Sequence, residues 1–161
     1  MTPQTATVEA PDIDEGRVLR YTRRYAVPVE TLFDAWTDPF VVAQWWGPRG
    51  MACPVCDLDV RVGGRWLTHM TGGDDPNKTY IVGGVYQEVE RPSRLAFTWS
   101  WRTDGTPGHE TLITIDFITV DGGSEMRFAQ HLFQSEAAQQ AHDQGWTSAL
   151  DCLTDFLAQE A

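Results

Sequence analysis

Two cysteines three residues apart, Cys53 and Cys56, have the spacing of redox pairs and of half a zinc site. Zinc would need two further ligands at matching spacing, and the sequence contains no second pair. A redox pair would begin a helix, whereas residues 51–62 alternate between apolar and charged side chains as a strand does. In a regular strand, positions 53 and 56 point to opposite faces. The pattern therefore predicts reduced, metal-free cysteines.

His142 and Gln130 are the polar residues best placed for chemistry on otherwise apolar faces. His142 precedes Trp146 by one helical turn, and its ordinary pKa suits acid–base work, although a histidine beside an apolar stripe is often structural. Gln130 lies mid-strand among apolar residues, where an unpaired amide costs about 1–3 kcal/mol. It therefore either hydrogen-bonds within the protein or contacts a ligand.

Other kinds of site have no sequence signal. No nucleophile has a neighbouring base, no glycine-rich loop precedes a helix as in phosphate sites, and no metal-ligand cluster occurs, so neither a cofactor nor a metal is predicted. The formal net charge of −11 argues against nucleic acid or an anionic membrane as a partner. Three cysteines, an odd number, do not make a disulfide framework and favour a cytoplasmic location.

The elements that must position these residues begin after an acidic N-terminal segment. Residues 1–15 have neither a basic start nor an apolar stretch, which predicts a disordered acidic tail, and residues 16–161 are predicted to form one domain. A first strand over residues 17–27 leads into two short helices. Pro28 suits the first turn of one helix, and Asp38 can cap the next.

Six further strands are predicted over residues 51–62, 65–70, 79–90, 94–102, 110–120 and 124–133, with short turns between them that favour an antiparallel meander. The inward face of strand 79–90 stays open. Pairing Val89 with Leu95 turns Ile81 and Val85 inward, whereas a one-residue slip turns in Val82 and Tyr86.

Ser135 is the predicted N-cap of a long last helix, about residues 136–158. Its apolar residues recur at helical spacing and form one stripe. A strongly curved sheet wrapped around this helix would bury the stripe and cover most of the free sheet edge.

Five motifs, in order, resemble those of the activator-of-heat-shock-protein-ATPase homologues. They are residues 26–39, Trp45-Trp46-Gly47-Pro48, Asp59-x-Arg61-x-Gly63-Gly64-x-Trp66, Pro92-x-Arg94-Leu95-x-Phe97-Thr98-Trp99 and Gly145-Trp146. The resemblance runs from about Arg17 to Ala158. It implies the START-like (SRPBCC) superfamily and a helix-grip α+β fold, in which a seven-stranded antiparallel sheet curves around a long C-terminal helix.

The resemblance also implies a cavity between the long helix and the sheet. Seven tryptophans are many for 161 residues, and aromatic residues on inward strand positions either fill a core or wall a pocket beside the small Gly145. The predicted ligand-binding residues are Trp66, Trp99, Trp101, Phe117, Phe128, Gln130, His142 and Trp146.

The favoured function is binding or sequestration of a small hydrophobic ligand, aromatic or polyketide-like, and a homodimer is one assembly that the protein could form. A cyclase or hydratase that uses the same cavity is the alternative, with His142 moving protons. Co-chaperone activity is the weakest interpretation. The resemblance implies that the activator proper has an additional N-terminal domain, and here only the short acidic tail is expected at that end.

Overall fold

The computed structural model describes residues 17–73 and 75–160, so the predicted tail, residues 1–15, lies outside the described residues. The elements in chain order are β1 (Leu19–Tyr25), α1 (Val29–Thr37), α2 (Pro39–Trp45), β2 (Met51–Leu58), β3 (Arg65–Gly72), β4 (Thr79–Glu90), β5 (Arg94–Thr103), β6 (Thr106–Pro107), β7 (Thr111–Val120), β8 (Gly123–His131) and α3 (Glu136–Glu160). The predicted arrangement of sheet, two short helices and long last helix is confirmed.

The strands form one antiparallel sheet in the order β1-β8-β7-β5-β4-β3-β2. The seven strands predicted from the sequence make up this path, and the two-residue β6 pairs with β5 beside it. β1 is paired with β8 although the two are far apart in sequence, so the first and last strands meet. The edge strands of the path are β1 and β2.

Helix α3 packs its apolar stripe against the sheet, as the sequence predicts. Trp146 is 5% exposed and Leu150 is fully buried. The side chain of Ser135 accepts a hydrogen bond from the backbone N–H of Ala138 at 3.1 Å, which confirms its role as the N-cap. At α2, the Asp38 side chain accepts from the backbone N–H of Phe40 at 2.9 Å, and Pro39 occupies the first turn.

A bulge in β4 decides the phase that the sequence leaves open. Val89 does pair with Leu95, but the register shifts between Tyr86 and Glu88. The extra residue reverses the alternation of faces on the far side of the bulge. Val82 and Tyr86 are therefore the buried residues, at 0% and 3% exposed.

A second bulge overturns the prediction that Cys53 and Cys56 point to opposite faces of the strand. In β2 the register shifts between Ala52 and Val55. Cys53 and Cys56 consequently share one face of the strand, where both pack against the core. The expectation that they point to opposite faces is wrong, because it assumed a regular strand; both are free thiols in the structure.

Candidate ligand-binding groove

A groove of about 490 Å³ opens where α3 passes the ends of β3, β4 and β5 and the loop that follows α2. This volume is within the usual range of small-molecule sites, about 300–1,000 Å³. The residues that line it are Trp46, Gly47, Pro48, Arg49, Met51, Met70, Gly72, Gly73, Tyr80, Trp99, Trp101, Ala141, His142, Gly145, Trp146 and Ala149.

Trp99 is the centre of the aromatic wall. Its ring centroid lies 5.4 Å from that of Trp146, 5.5 Å from that of Trp101 and 5.9 Å from that of Trp46. The Trp99–Trp101 pair is edge-to-face, a geometry that aromatic rings favour. Trp99 is only 5% exposed, whereas Trp101 is 38% exposed. The wall therefore runs from the interior to the surface without a break in its aromatic character.

His142 stands on α3 against the same wall. The indole N–H of Trp101 donates to its Nε2 at 3.2 Å, and because an indole nitrogen can only donate, Nε2 is an acceptor and the neutral ring carries its proton on Nδ1. Burial lowers the pKa of His142 to about 4. The imidazole is thus neutral at pH 7, with Nδ1–H as a hydrogen-bond donor.

The four indole N–H groups of the wall differ in their partners. Trp46 donates to Thr68 Oγ1 at 3.0 Å, Trp101 donates to His142, and Trp146 donates to Gln130 Oε1 at 2.8 Å. The N–H of Trp99 is buried and has no partner among the described residues. A buried donor without an acceptor costs about 1–3 kcal/mol, and this N–H is on the interior side of the wall, out of reach of solvent.

Arg49 connects the loop after α2 to α3 by a hydrogen bond and an ion pair. Its backbone N–H donates to Ser148 Oγ at 2.8 Å, and its guanidinium lies 3.0 Å from the carboxylate of Asp155. Its side chain is 61% exposed, so this ion pair belongs to the rim of the groove. Arg49 is the charged residue of the described lining, and no described lining residue carries a carboxylate.

Two glycines leave the space that the groove occupies. Gly47 has φ +93°, a backbone conformation that favours glycine, and a Cβ there would lie 2.9 Å from Met70 Sδ. Gly145 is helical, and a Cβ there would meet only Pro48 Cγ, at 4.0 Å. Since Gly145 lines the groove beside Pro48, a larger side chain at 145 would enter the groove.

The structure brings four of the predicted site residues together on this lining, namely Trp99, Trp101, His142 and Trp146. The other four lie elsewhere. Phe117 and Phe128 are core residues, 3% and 2% exposed. Trp66 borders a separate void of about 10 Å³, room for about one water molecule.

Gln130 is fully buried and hydrogen-bonds within the protein. Its Nε2 donates to Thr111 Oγ1 at 2.8 Å, and its Oε1 accepts from Trp146. Of the two interpretations left open by the sequence, the internal one describes this structure. Gln130 therefore orients Trp146, which in turn lines the groove.

Sequence reasoning missed the wall that the loop after α2 contributes, Trp46 to Arg49, together with Met51 and Tyr80. A signal was available for part of it. A glycine and a proline directly after a double tryptophan mark a turn that must pass close to another backbone, and Gly145 marks a gap on α3. Nothing local in the sequence indicates that Gly47-Pro48 and Gly145 lie next to each other in the fold.

Within the described ranges, no cluster of three or more histidine, cysteine or acidic side chains is placed to hold a metal ion. None of the described helices is both long and apolar enough to span a membrane.

Comparisons with known proteins agree with this architecture. The family model described as "Activator of Hsp90 ATPase homolog 1-like protein" matches residues 26–158. The crystal structure of an AHSA1 protein from Silicibacter pomeroyi is similar with a TM-score of 0.81 and 32% identity, over 89% of this chain and 99% of that one. A protein from Chromobacterium violaceum is similar with a TM-score of 0.79 and 25% identity, over 88% and 97%. No curated protein sequence matches significantly.

Proposed function

The chain belongs to the family of Activator of Hsp90 ATPase homolog 1-like proteins, and we propose from this premise that it binds or sequesters a small hydrophobic ligand in the groove. The observation that carries the proposal is the size of the groove, about 490 Å³, beside a wall of four tryptophans. Stacking on such a wall favours a flat aromatic or polyketide-like molecule.

The polar groups of the groove restrict the chemistry of the ligand further. His142 offers Nδ1–H, and Arg49 offers a guanidinium at the rim. Both are hydrogen-bond donors. The ligand in our proposal therefore carries acceptor oxygens, carbonyl or phenolic, on its aromatic body, as polyketide-derived compounds do.

A fluorescence titration tests the proposal. Because tryptophans line the groove, a bound aromatic compound should change their emission saturably. The probes are three bicyclic aromatics of matched size, namely 2-acetylnaphthalene with an acceptor carbonyl, naphthalene without one, and 2-naphthylmethylamine with a cationic donor. We expect the ketone to bind best and the amine worst, with affinity below about millimolar for the ketone.

Two variants locate the binding. Trp101→Ala removes part of the wall and should weaken binding at least several-fold, whereas Phe40→Ala removes an aromatic side chain that is 83% exposed on α2 and does not line the groove. Binding unchanged in Trp101→Ala, or no saturable binding by any of the three probes, contradicts the proposal.

A cyclase or hydratase that uses the same groove is a second candidate, and the observation in its favour is His142. A neutral imidazole on the groove wall is a group that can exchange protons with a substrate. Catalysis would also require a second titratable group, and the described lining offers the Tyr80 hydroxyl. Recovering a bound polyketide-like compound chemically changed by the wild-type protein, but unchanged by His142→Gln, would favour the enzyme.

A further inference from the structure

The paired cysteines of β2 lie outside the groove, and the proposed function does not use them. β2 is an edge strand, and its bulge sets Cys53 and Pro54 opposite one residue of β3, because Ala52 pairs with Thr71 and Val55 with His69. Proline donates no backbone hydrogen bond, and an edge-strand bulge is a place that tolerates it. The Cys-Pro-Val-Cys sequence is thus held in a geometry that a regular strand would not give.

The two thiols share this face. The bulge turns both side chains towards the core, against which both pack, and the Cys53 thiol donates to the backbone oxygen of Val55, between the two cysteines, at 3.3 Å. The sulfur of Cys53 is therefore held within the short segment that ends at Cys56.

The two neighbouring thiols are unequal. A hydrogen bond with Cys56 lowers the pKa of Cys53 from its ordinary value. The same hydrogen bond, followed by burial, raises the pKa of Cys56. Since the thiolate is the nucleophile, Cys53 is the thiol that attacks first, and Cys56 remains protonated beside it.

The pair is also accessible. Cys53 and Cys56 are both half-buried, and Pro54 between them is exposed. A fully buried pair of thiols would be inaccessible to a disulfide oxidant. A fully exposed pair would lack the packing that holds the two side chains on one face.

We propose that Cys53 and Cys56 form a thiol–disulfide exchange site that closes to a reversible intramolecular disulfide. The oxidant is a low-molecular-weight disulfide of the glutathione class. Cys53, as the thiolate, attacks one sulfur of this disulfide, so that a mixed disulfide forms and one small thiolate leaves. Cys56 loses its proton and attacks the Cys53 sulfur. The protein disulfide forms, and the second small molecule leaves as a thiol, so that two protein thiols are oxidised while one disulfide is reduced to two thiols.

The test uses the full-length chain, reduced, desalted and incubated with excess oxidised glutathione. Remaining thiols are alkylated under denaturing conditions, and the protein is analysed by intact mass and peptide mapping. We expect the wild-type chain to lose two hydrogen atoms, to carry a bond between positions 53 and 56, and to regain both thiols with dithiothreitol. Cys152, on α3, serves as the internal comparison because it has no cysteine partner among the described residues.

Variants separate the two roles. Cys56→Ser should stop at a mixed disulfide on Cys53, because no resolving thiol is present. In the wild-type chain quenched early in the reaction, glutathione should be attached to Cys53 and not to Cys56. Cys53→Ser should likewise fail to form the protein disulfide, and Cys53→Ala repeats that measurement if serine disturbs the strand.

Three outcomes would overturn the proposal. The wild-type chain could retain free thiols at 53 and 56 while Cys152 reacts. It could accumulate a mixed disulfide that never closes. The early mixed disulfide of the wild-type chain could also be attached to Cys56, which would contradict the assigned order of attack.

Discussion

Two aromatic regions of this molecule share Trp46 but differ in whether their rings pack against other rings or border open space. We call one the sealed cluster; it comprises Trp36, Trp45, Trp46, Trp66 and Phe97. The other is the groove. In the sealed cluster a ring faces another ring, as with Trp36 and Trp45 at 4.8 Å, and the space left is about 10 Å³. In the groove the rings face Gly145 and Pro48, and about 490 Å³ is open. Aromatic density alone therefore does not separate a core from a binding wall.

The largest difference between the two regions should appear in stability. Trp66→Ala should lower the free energy of unfolding by about 3–5 kcal/mol, because Trp66 is 4% exposed and also loses its hydrogen bond to the Thr98 carbonyl, 3.0 Å long. Trp101→Ala should cost about 1 kcal/mol or less, because Trp101 is 38% exposed. Urea denaturation measures the free energy of unfolding of both variants. Equal losses would contradict the distinction between a packed cluster and an open groove.

Gln130→Leu should lower stability, because Gln130 is a core residue that does not line the groove. It removes the acceptor of the buried Trp146 N–H and the donor to the Thr111 hydroxyl, which should cost about 1–3 kcal/mol. Adding Trp146→Phe to this variant removes the orphaned N–H, so the double variant should lose less than the sum of the two single variants. An altered ligand preference in Gln130→Leu with no loss of stability would instead place Gln130 in the site.

The titration of His142, on the groove wall, should make the free energy of unfolding depend on pH. Burial lowers its pKa from 6.5 to about 4 in the folded state, so between those values the unfolded chain binds a proton that the folded chain does not. Stability is therefore lost as the pH falls from about 6.5 towards 4, by roughly 1–2 kcal/mol in all, because the ring is not fully buried. His142→Gln should flatten this part of the curve relative to wild type; parallel curves for the two proteins would contradict the assignment.

Gly145→Ala should produce the smallest effect. Glycine inside a helix is less favourable than alanine by about 0.5–1 kcal/mol, and the added Cβ meets only Pro48 Cγ at 4.0 Å. The variant should therefore be slightly more stable than wild type in thermal denaturation. A destabilised variant would mean that α3 and the loop after α2 are packed more tightly at this point than the groove implies.

The same contrast explains how far the sequence could predict the structure. Hydrophobic periodicity, caps and turn residues are local signals, and they predicted seven strands, both short helices and the Ser135 cap. The bulges in β2 and β4 depend on how one strand pairs with its neighbour. The bulge in β2 puts Cys56 on the face opposite to the one expected, and the bulge in β4 determines that Val82 faces inward. In both strands one extra residue inverts the alternation of side chains.

The lining of the groove was predicted only in part, for a related reason. Alternation places Trp99 and Phe117 alike on inward faces, but it does not say which of them meets a packed neighbour and which meets open space. That depends on Gly145 and on the loop after α2, which approaches from a distant part of the sequence. Trp99, Trp101, His142 and Trp146 were predicted to line a cavity and do line the groove, whereas Phe128 and Gln130 have the same pattern and lie in the core.

Filling the groove from Gly145 tests the central claim most directly, that a ligand binds in the groove and not in the aromatic core. Gly145→Leu projects a side chain across the groove towards Pro48, and Gly145→Ala is its matched control. Both are titrated with 2-acetylnaphthalene by tryptophan fluorescence, after denaturation shows that both are folded. We expect Gly145→Leu to lose binding at least about tenfold, or about 1.4 kcal/mol, while Gly145→Ala stays within a few-fold of wild type. Full-affinity binding by a folded Gly145→Leu variant would contradict the account.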